Sequence, residues 1–125
     1  MIKANDLRIG NWVTDYYGSN GTLVSIHKGG SYRVEVDETI TAWGEENIKG
    51  IPLTPEILEK CGFEKSSDPY GGYLSQQLEN GKLRIAQDDN GFYHDAGFSK
   101  PRINHLHQLQ NLYFALTGTE LTIKL

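Results

Sequence analysis

The sequence is poor in cysteine, the residue that forms disulfides and cysteine-based zinc sites. It contains one cysteine, Cys61, which excludes an internal disulfide and a cysteine-cluster zinc site. No stretch approaches the roughly 20 apolar residues that a membrane-spanning helix needs. The first ten residues also lack the apolar centre of a signal peptide. We therefore expect no membrane association and a cytoplasmic location.

The sequence also lacks an excess of positive charge. Its 12 lysines and arginines are outnumbered by 16 aspartates and glutamates, which gives a net charge of −4. Nucleic-acid binding draws much of its affinity from basic side chains that neutralise phosphates, so the composition disfavours such a partner. One alternative stays open, in which the first part of the chain binds nucleic acid through a local basic cluster of Lys3, Arg8, Lys28, Arg33 and Lys49.

Sequence signatures of catalysis are missing as well. The chain has no Gly-x-Ser-x-Gly elbow, no His-Glu-x-x-His pair and no phosphate-binding loop. Cys61 follows a short predicted helix, where the helix dipole raises a thiol pKa, so we interpret it as a small core residue. We expect no enzymatic activity and no cofactor.

Glycine, in contrast, is abundant, and its 14 copies lie mostly between short apolar runs. In residues 1-52 this punctuation predicts five short strands, with one helical turn at Gly44–Asn47 before the last strand. Short strands leave exposed edges unless the sheet closes, so we expect a small closed β-barrel. The order of these features resembles barrels of the Src-homology-3, Tudor and KOW type, which serve many unrelated functions.

Residues 53-62 predict a short connecting helix. Thr54 suits the N-cap, Pro55 the first helical position and Gly62 the residue that ends the helix. Its place between two strand-rich stretches suggests that it joins two modules.

Residues 63-125 predict an antiparallel β-meander packed by one C-terminal helix. Asn80-Gly81 and Asn90-Gly91 are strong hairpin signals, and an apolar stripe from Leu106 to Leu116 predicts a helix over 104–117. A closing strand is expected at 119–125. The overall class is then α+β, with the two modules either separate or forming one continuous domain.

Aromatic residues are the best candidates for a binding surface. In barrels of the type named above, aromatic side chains beside the first long loop often line a groove for a peptide or a methylated lysine. Tyr16, Tyr17 and Tyr32 are the candidates in the barrel, whereas we assign Trp12 and Trp43 to its core. Phe114 lies off the helical stripe, and an exposed aromatic there would suit a partner chain or a homodimer.

Histidines offer a second hypothesis, a small metal-dependent protein or enzyme that uses His94, Asp95, His105 and His107. Residues two apart on a helix point in different directions, whereas on a strand they share a face. Because His105 and His107 lie where strand gives way to helix, the pattern leaves their geometry open. A zinc site needs three or four converging ligands.

Three stretches resemble a group of uncharacterised small proteins encoded by Bacteroidetes, their phages and their integrated elements. They are Leu7-Arg8-Ile9-Gly10-Asn11, then Gly50–Thr54 leading to Cys61–Glu64, and finally the segment from His107 to Gly118. The resemblance brings no assigned activity and no catalytic residues to carry over. Because catalytic signatures are missing, we expect a non-catalytic binding or adaptor protein, of phage or mobile-element origin, that acts on a protein partner.

Overall fold

The computed structural model describes residues 6–65, 73–79 and 81–125, and the chain divides into two compact units. The first unit comprises Met1–Pro52 and His105–Asn111, and the second comprises Leu53–Asn104 and Leu112–Leu125. Each unit contains one five-stranded antiparallel sheet. Together with two α-helices, these sheets confirm the α+β class.

The sheet of the first unit is open. Its strands are β1 (Trp12–Thr14), β2 (Asn20–His27), β3 (Ser31–Val36), β4 (Thr39–Gly44) and β5 (Lys49–Gly50), in the order β4-β3-β2-β1-β5. A single 3-10 turn, Glu45–Asn47, precedes β5 as expected. Strands β4 and β5 form the two edges, and β5 is too short to close the sheet against β4. The predicted Src-homology-3-like β-barrel over residues 1-52 is therefore wrong, although its five strands are present.

Alternation along the strands produces the core of the first unit. On β3, Tyr32 and Val34 are buried while Ser31 and Arg33 are exposed, as a period of two requires. Burial of each large apolar side chain contributes about 1.5–3 kcal/mol. The core consists of Leu7, Val13, Leu23, Tyr32, Val34 and Ile48.

The second sheet confirms the predicted meander. Its strands are β6 (Glu64–Lys65), β7 (Tyr73–Leu78), β8 (Gly81–Asp88), β9 (Gly91–His94) and β10 (Arg102–Ile103), and they are neighbours in chain order. Asp88 pairs with Gly91, so the loop between β8 and β9 is Asp89-Asn90 and not the predicted Asn90-Gly91. Residues 66–72 lie outside the described residues, and so does Asn80 of the predicted Asn80-Gly81 turn.

Helix α1 covers Pro55–Lys60, less than the predicted range of 53-62. The hydroxyl of Thr54 accepts a hydrogen bond from the Ile57 N–H at 3.2 Å, which confirms the cap. Gly62 follows with φ +87°, a conformation that favours glycine. Because Leu53 and the whole helix belong to the second unit, the predicted role as a connector between modules is wrong.

Helix α2 covers Leu106–Thr117, and its residues are divided between the units after Asn111. The apolar stripe predicted for it is only half correct: Leu106 and Leu109 are fully buried, whereas Leu116 is 52% exposed. The prediction that the whole helix packs on the meander is therefore wrong. Residues 119–125 form no strand, although Leu121 is buried and the Lys124 N–H donates to the Lys60 carbonyl. Neither helix in the described part of the chain has the length and apolarity that crossing a bilayer requires.

Gln110 is a buried polar residue on α2 whose side-chain amide pairs with backbone groups of the first unit. Its side-chain oxygen accepts the Trp12 N–H at 2.8 Å, and its side-chain nitrogen donates to the Gly10 carbonyl at 3.1 Å. The amide therefore satisfies one donor and one acceptor of the chain just before β1. Only 3% of Gln110 is exposed, so water cannot replace these bonds.

Asn11 and Asn111 extend this network. Asn11 is fully buried, accepts the Arg8 N–H and donates to the Asn111 side-chain oxygen at 2.9 Å. The same Asn111 oxygen also accepts from Arg8 Nε at 2.9 Å, and the Asn111 amide donates to the Asp6 carbonyl. We call Arg8, Asn11, Gln110 and Asn111 the amide network. It ties the start of the first unit to a segment about 100 residues later in the sequence.

We expect Gln110→Met to lower the free energy of unfolding by about 2–4 kcal/mol. The substitution keeps the side-chain length but removes the partners of the Trp12 N–H and of the Gly10 carbonyl, which lie in a part-buried environment, at about 1–3 kcal/mol each. Chemical denaturation measures the change. Gln87→Met, at an exposed position on β8, is the control and should stay within about 0.5 kcal/mol of the parent. Equal effects of the two substitutions would contradict a structural role for the network.

The hairpin between β3 and β4 is built without glycine. Val36 pairs with Thr39, so Asp37 and Glu38 form a two-residue loop, with φ values of +48° and +68°. Such loops favour asparagine and glycine because other L-residues pay a steric cost at positive φ. The loop therefore stores strain at one end of β4.

We expect Glu38→Gly to raise the free energy of unfolding by about 0.5–1 kcal/mol, because glycine removes the clash at positive φ. The matched control is Glu64→Gly on β6, where φ is not positive and glycine should instead cost about 0.5–1 kcal/mol. Thermal and chemical denaturation of the two variants measure the difference. A loss of stability in Glu38→Gly as large as in the control would refute the strain.

Candidate binding surface

Three aromatic rings meet at the surface of the first unit. Tyr16 and Tyr17 are 68% and 79% exposed. Tyr16 stacks on Trp43 with ring centroids 6.2 Å apart, and Tyr17 meets Trp43 edge to face at 5.5 Å. The two tyrosines also contact each other at 5.5 Å. We call Tyr16, Tyr17 and Trp43 the aromatic cluster.

Asp15 fixes the turn that carries the two tyrosines. Its carboxylate accepts hydrogen bonds from the backbone N–H groups of Tyr17 and Ser19, both at 2.9 Å. Its own N–H donates to the Ser19 carbonyl, and Gly18 supplies the positive φ of +82° that the turn needs. An aspartate that bonds the backbone two residues on is a recurring turn device. The turn holds both rings out into solvent without relying on their burial.

Trp43 links the cluster to the core. It lies on β4 opposite Tyr32 of β3, and residues directly opposite each other share a face of the sheet. Trp43 is half-buried and packs against the core that contains Tyr32. The prediction that Trp43 belongs to the core is therefore only partly correct, because the same ring also contacts the exposed Tyr16 and Tyr17.

Tyr32 and Phe114 do not join this surface. Tyr32 is 1% exposed, so it offers nothing to a partner, and the prediction of a binding role for it is wrong. Burial and the nearby Glu45 carboxylate raise the pKa of its phenol. Phe114 is 39% exposed on α2, but it belongs to the second unit, whereas the aromatic cluster lies in the first.

Negative charge surrounds the aromatic cluster along the sequence. From Val34 to Ile48 the chain carries five acidic residues and no basic one. Two of them follow Gly44, the residue after Trp43, and the Glu46 carboxylate folds back against Gly44, so close that a methyl group on Gly44 would lie 2.8 Å from it. Aromatic faces beside carboxylates favour positively charged groups. The acidic residues are Glu35, Asp37, Glu38, Glu45 and Glu46.

The four residues of the metal hypothesis do not form a site. His94 and Asp95 belong to the second unit, whereas His105 and His107 belong to the first. Among residues 6–65, 73–79 and 81–125, no group of three or more His, Cys, Asp or Glu side chains is placed to hold a metal ion. His94 instead lines an open groove of about 670 Å³ between the β7–β8 hairpin and the end of α2. Burial lowers its pKa.

His105 and His107 lie side by side with ring centroids 5.6 Å apart and nearly parallel planes. His105 packs its ring against Gly50, where a Cβ would lie 2.6 Å from it. His107 is 3% exposed, and its Nδ1 has no hydrogen-bond partner among the residues that the structure describes. Burial, reinforced by His105, lowers the pKa of His107 to about 4. His107 therefore fills space as a neutral ring at neutral pH.

Cys61 is buried to 1% exposure, which confirms its interpretation as a core residue. Burial raises the pKa of its thiol to about 11, so the nucleophilic thiolate is scarce at neutral pH. The basic cluster of the nucleic-acid hypothesis is also constrained. Lys3 lies outside the described residues, and Arg8 is held by Asn111 and by the Gln110 carbonyl within the amide network.

Comparison with known proteins gives no match: no family model fits the chain, and no curated protein or solved structure is significantly similar to it. The candidate surface therefore rests on the geometry of the chain itself. Sequence reasoning found Tyr16 and Tyr17 but missed that Trp43 completes the cluster. The signal was available in part, since Tyr32 and Trp43 occupy matching positions in two strands joined by a short turn.

We expect stability to fall as the pH is lowered from about 6.5 towards 4. The folded state resists protonation of His107, whereas the unfolded chain accepts the proton near pH 6.5, so acid favours unfolding through this range. The full contribution amounts to about 3 kcal/mol. His107→Leu should flatten the dependence of unfolding free energy on pH. His27→Gln, at an exposed position, should leave it unchanged, and a flat profile in the parent protein would rule out the effect.

Proposed function

We propose that this protein is a non-catalytic binding protein whose contact surface is the aromatic cluster of Tyr16, Tyr17 and Trp43. The main observation behind this proposal is that Tyr16 and Tyr17, 68% and 79% exposed, contact Trp43. The turn that carries them is fixed by the Asp15 carboxylate. Tyrosine and tryptophan are the residues most often found at the energetic centre of protein interfaces. A protein or peptide partner fits this surface best.

The rigidity of the turn supports the proposal. Binding costs free energy when side chains and loops must become ordered, and a surface that is ordered beforehand avoids part of that cost. Tyrosine adds large contact area with only two rotatable side-chain bonds. Tyr16 and Tyr17 combine both advantages, since the Asp15 carboxylate binds the Tyr17 and Ser19 N–H groups within the turn.

The placement of the reactive residue types favours binding over catalysis. Cys61 is buried, and the pKa of its thiol is raised. His107 is also buried, and the pKa of its imidazole is lowered. In the described ranges these groups serve packing, not a shared reactive centre. The resemblance of three stretches to uncharacterised proteins of phages and integrated elements motivates the proposed origin in such an element, and the adaptor role rests on the aromatic cluster alone.

We expect the double substitution Tyr16→Ala and Tyr17→Ala to weaken peptide binding at least tenfold without unfolding the protein. Both rings are exposed, so their loss removes interface contacts but little core packing. A displayed random-peptide library selects ligands for the parent protein, and isothermal titration then compares the variants. The matched control is Phe98→Ala, which truncates another fully exposed ring in the second unit.

Ligands that bind the double variant and the parent equally well would contradict the proposal. A loss of binding in Phe98→Ala as large as in the double variant would do the same, because it would place the contact surface elsewhere.

A further inference from the structure

Strand β4 is an uncovered edge of the first sheet. It lies at one end of the order β4-β3-β2-β1-β5 and pairs only with β3 in the part of the chain that the structure describes. Four consecutive residues, Thr39–Ala42, are exposed, and Ile40 is 56% exposed. On an edge strand, every second residue turns its N–H and carbonyl groups away from the sheet.

Within the described residues, the other sheet edges are protected by their shortness, whereas β4 is not. There, strands β5, β6 and β10 each contain two residues, and β4 contains six. Natural edges are also guarded by lysine, proline or a bulge. Strand β4, with the sequence TITAWG, has no charged residue and no proline, and its pairing with β3 is regular throughout. It has the properties of a template for another strand.

The ends of β4 are strongly acidic. Asp37 and Glu38 precede it, and Glu45 and Glu46 follow it. An antiparallel pairing of two β4 strands about their midpoint would place the first acidic pair of one copy opposite the second pair of the other. Like charges directly opposite each other destabilise a strand pair. The acidic ends therefore oppose self-association and favour a strand with basic ends.

We propose that the β4 edge binds an extended segment of a partner protein as an added strand, and that this segment has an uncharged, β-branched middle and basic residues at both ends. The inference rests on the proposed function, because Thr39, Thr41 and Trp43 lie on the face of the sheet that Tyr32 buries. Alternate side chains of an added strand would point to that same face, beside Trp43 and the two tyrosines.

The test uses two synthetic peptides of alternating threonine and valine, one with two lysines at each end and one with two glutamates at each end. Amide hydrogen exchange followed by nuclear magnetic resonance reads the result at each residue. We expect the lysine peptide to slow exchange of alternate β4 amides at least tenfold. We also expect it to bind at least tenfold more tightly than the glutamate peptide at low salt, with the difference shrinking as salt rises.

Substitutions on the edge provide the matched variants. Ile40→Lys places a positive charge on β4, which should weaken binding of the lysine peptide at least tenfold. Ile9→Lys adds the same charge at an exposed position outside the strands, and it should leave binding unchanged. Equal binding by the two variants would overturn the inference.

Three further outcomes separate this inference from the proposed function. Shifts at Tyr16 and Tyr17 with unchanged exchange in β4 would overturn the added strand but keep the aromatic surface. Protection of β4 that survives the double tyrosine substitution undiminished would support the edge and overturn the aromatic surface. Absence of binding by the lysine peptide would overturn the inference. Protection of β4 that grows with protein concentration alone would also overturn it, because a second copy of the chain would then be the occupant of the edge.

Discussion

The first unit depends on a hydrogen-bonding constraint: backbone polar groups around the start of β1 are paired by side chains from a distant part of the sequence, among them the buried amide of Gln110. Side-chain amides of α2 meet this need, since Gln110 serves Trp12 and Gly10 while Asn111 serves Asp6 and Arg8. Buried polar networks specify one arrangement only when every member is paired, and here the partners are about 100 residues apart in sequence. The start of the chain therefore cannot reach its native pairing until α2 is in place.

The same network explains both the success and the failure of the sequence analysis. Periodicity predicted α2 correctly from Leu106 onward, but it assigned the buried face to the apolar stripe from Leu106 to Leu116. The positions of Gln110 and Asn111 carry no apolar signal, so this pattern does not reveal that Gln110 is buried to 3% exposure.

The barrel prediction failed for a different physical reason. Strand existence follows from local alternation and turn residues, and all five strands of the first sheet were found in this way. Closure, in contrast, depends on whether the first and last elements are long enough to pair, and β5 contains only two residues. Local pattern gives little information about that length. The candidate site could also be predicted only in part. The exposure of Tyr16 and Tyr17 follows from their turn, whereas the contribution of Trp43 depends on the register of β3 with β4.

The open edge of β4 and the strained hairpin before it are linked by the acidic residues at the ends of this strand. A sheet that leaves the outer side of the six-residue strand β4 without a neighbouring strand in the described residues risks aggregation, and lysine on the strand is a common protection. This chain instead carries acidic residues at both ends of the strand and accepts Asp37 and Glu38 at positive φ in the turn, where asparagine and glycine would fit with less strain. Charge placed at the ends repels a second copy but leaves the hydrogen-bonding groups of the middle accessible. Lysine in the middle would obstruct every added strand, whereas acidic ends discriminate between strands by their charge.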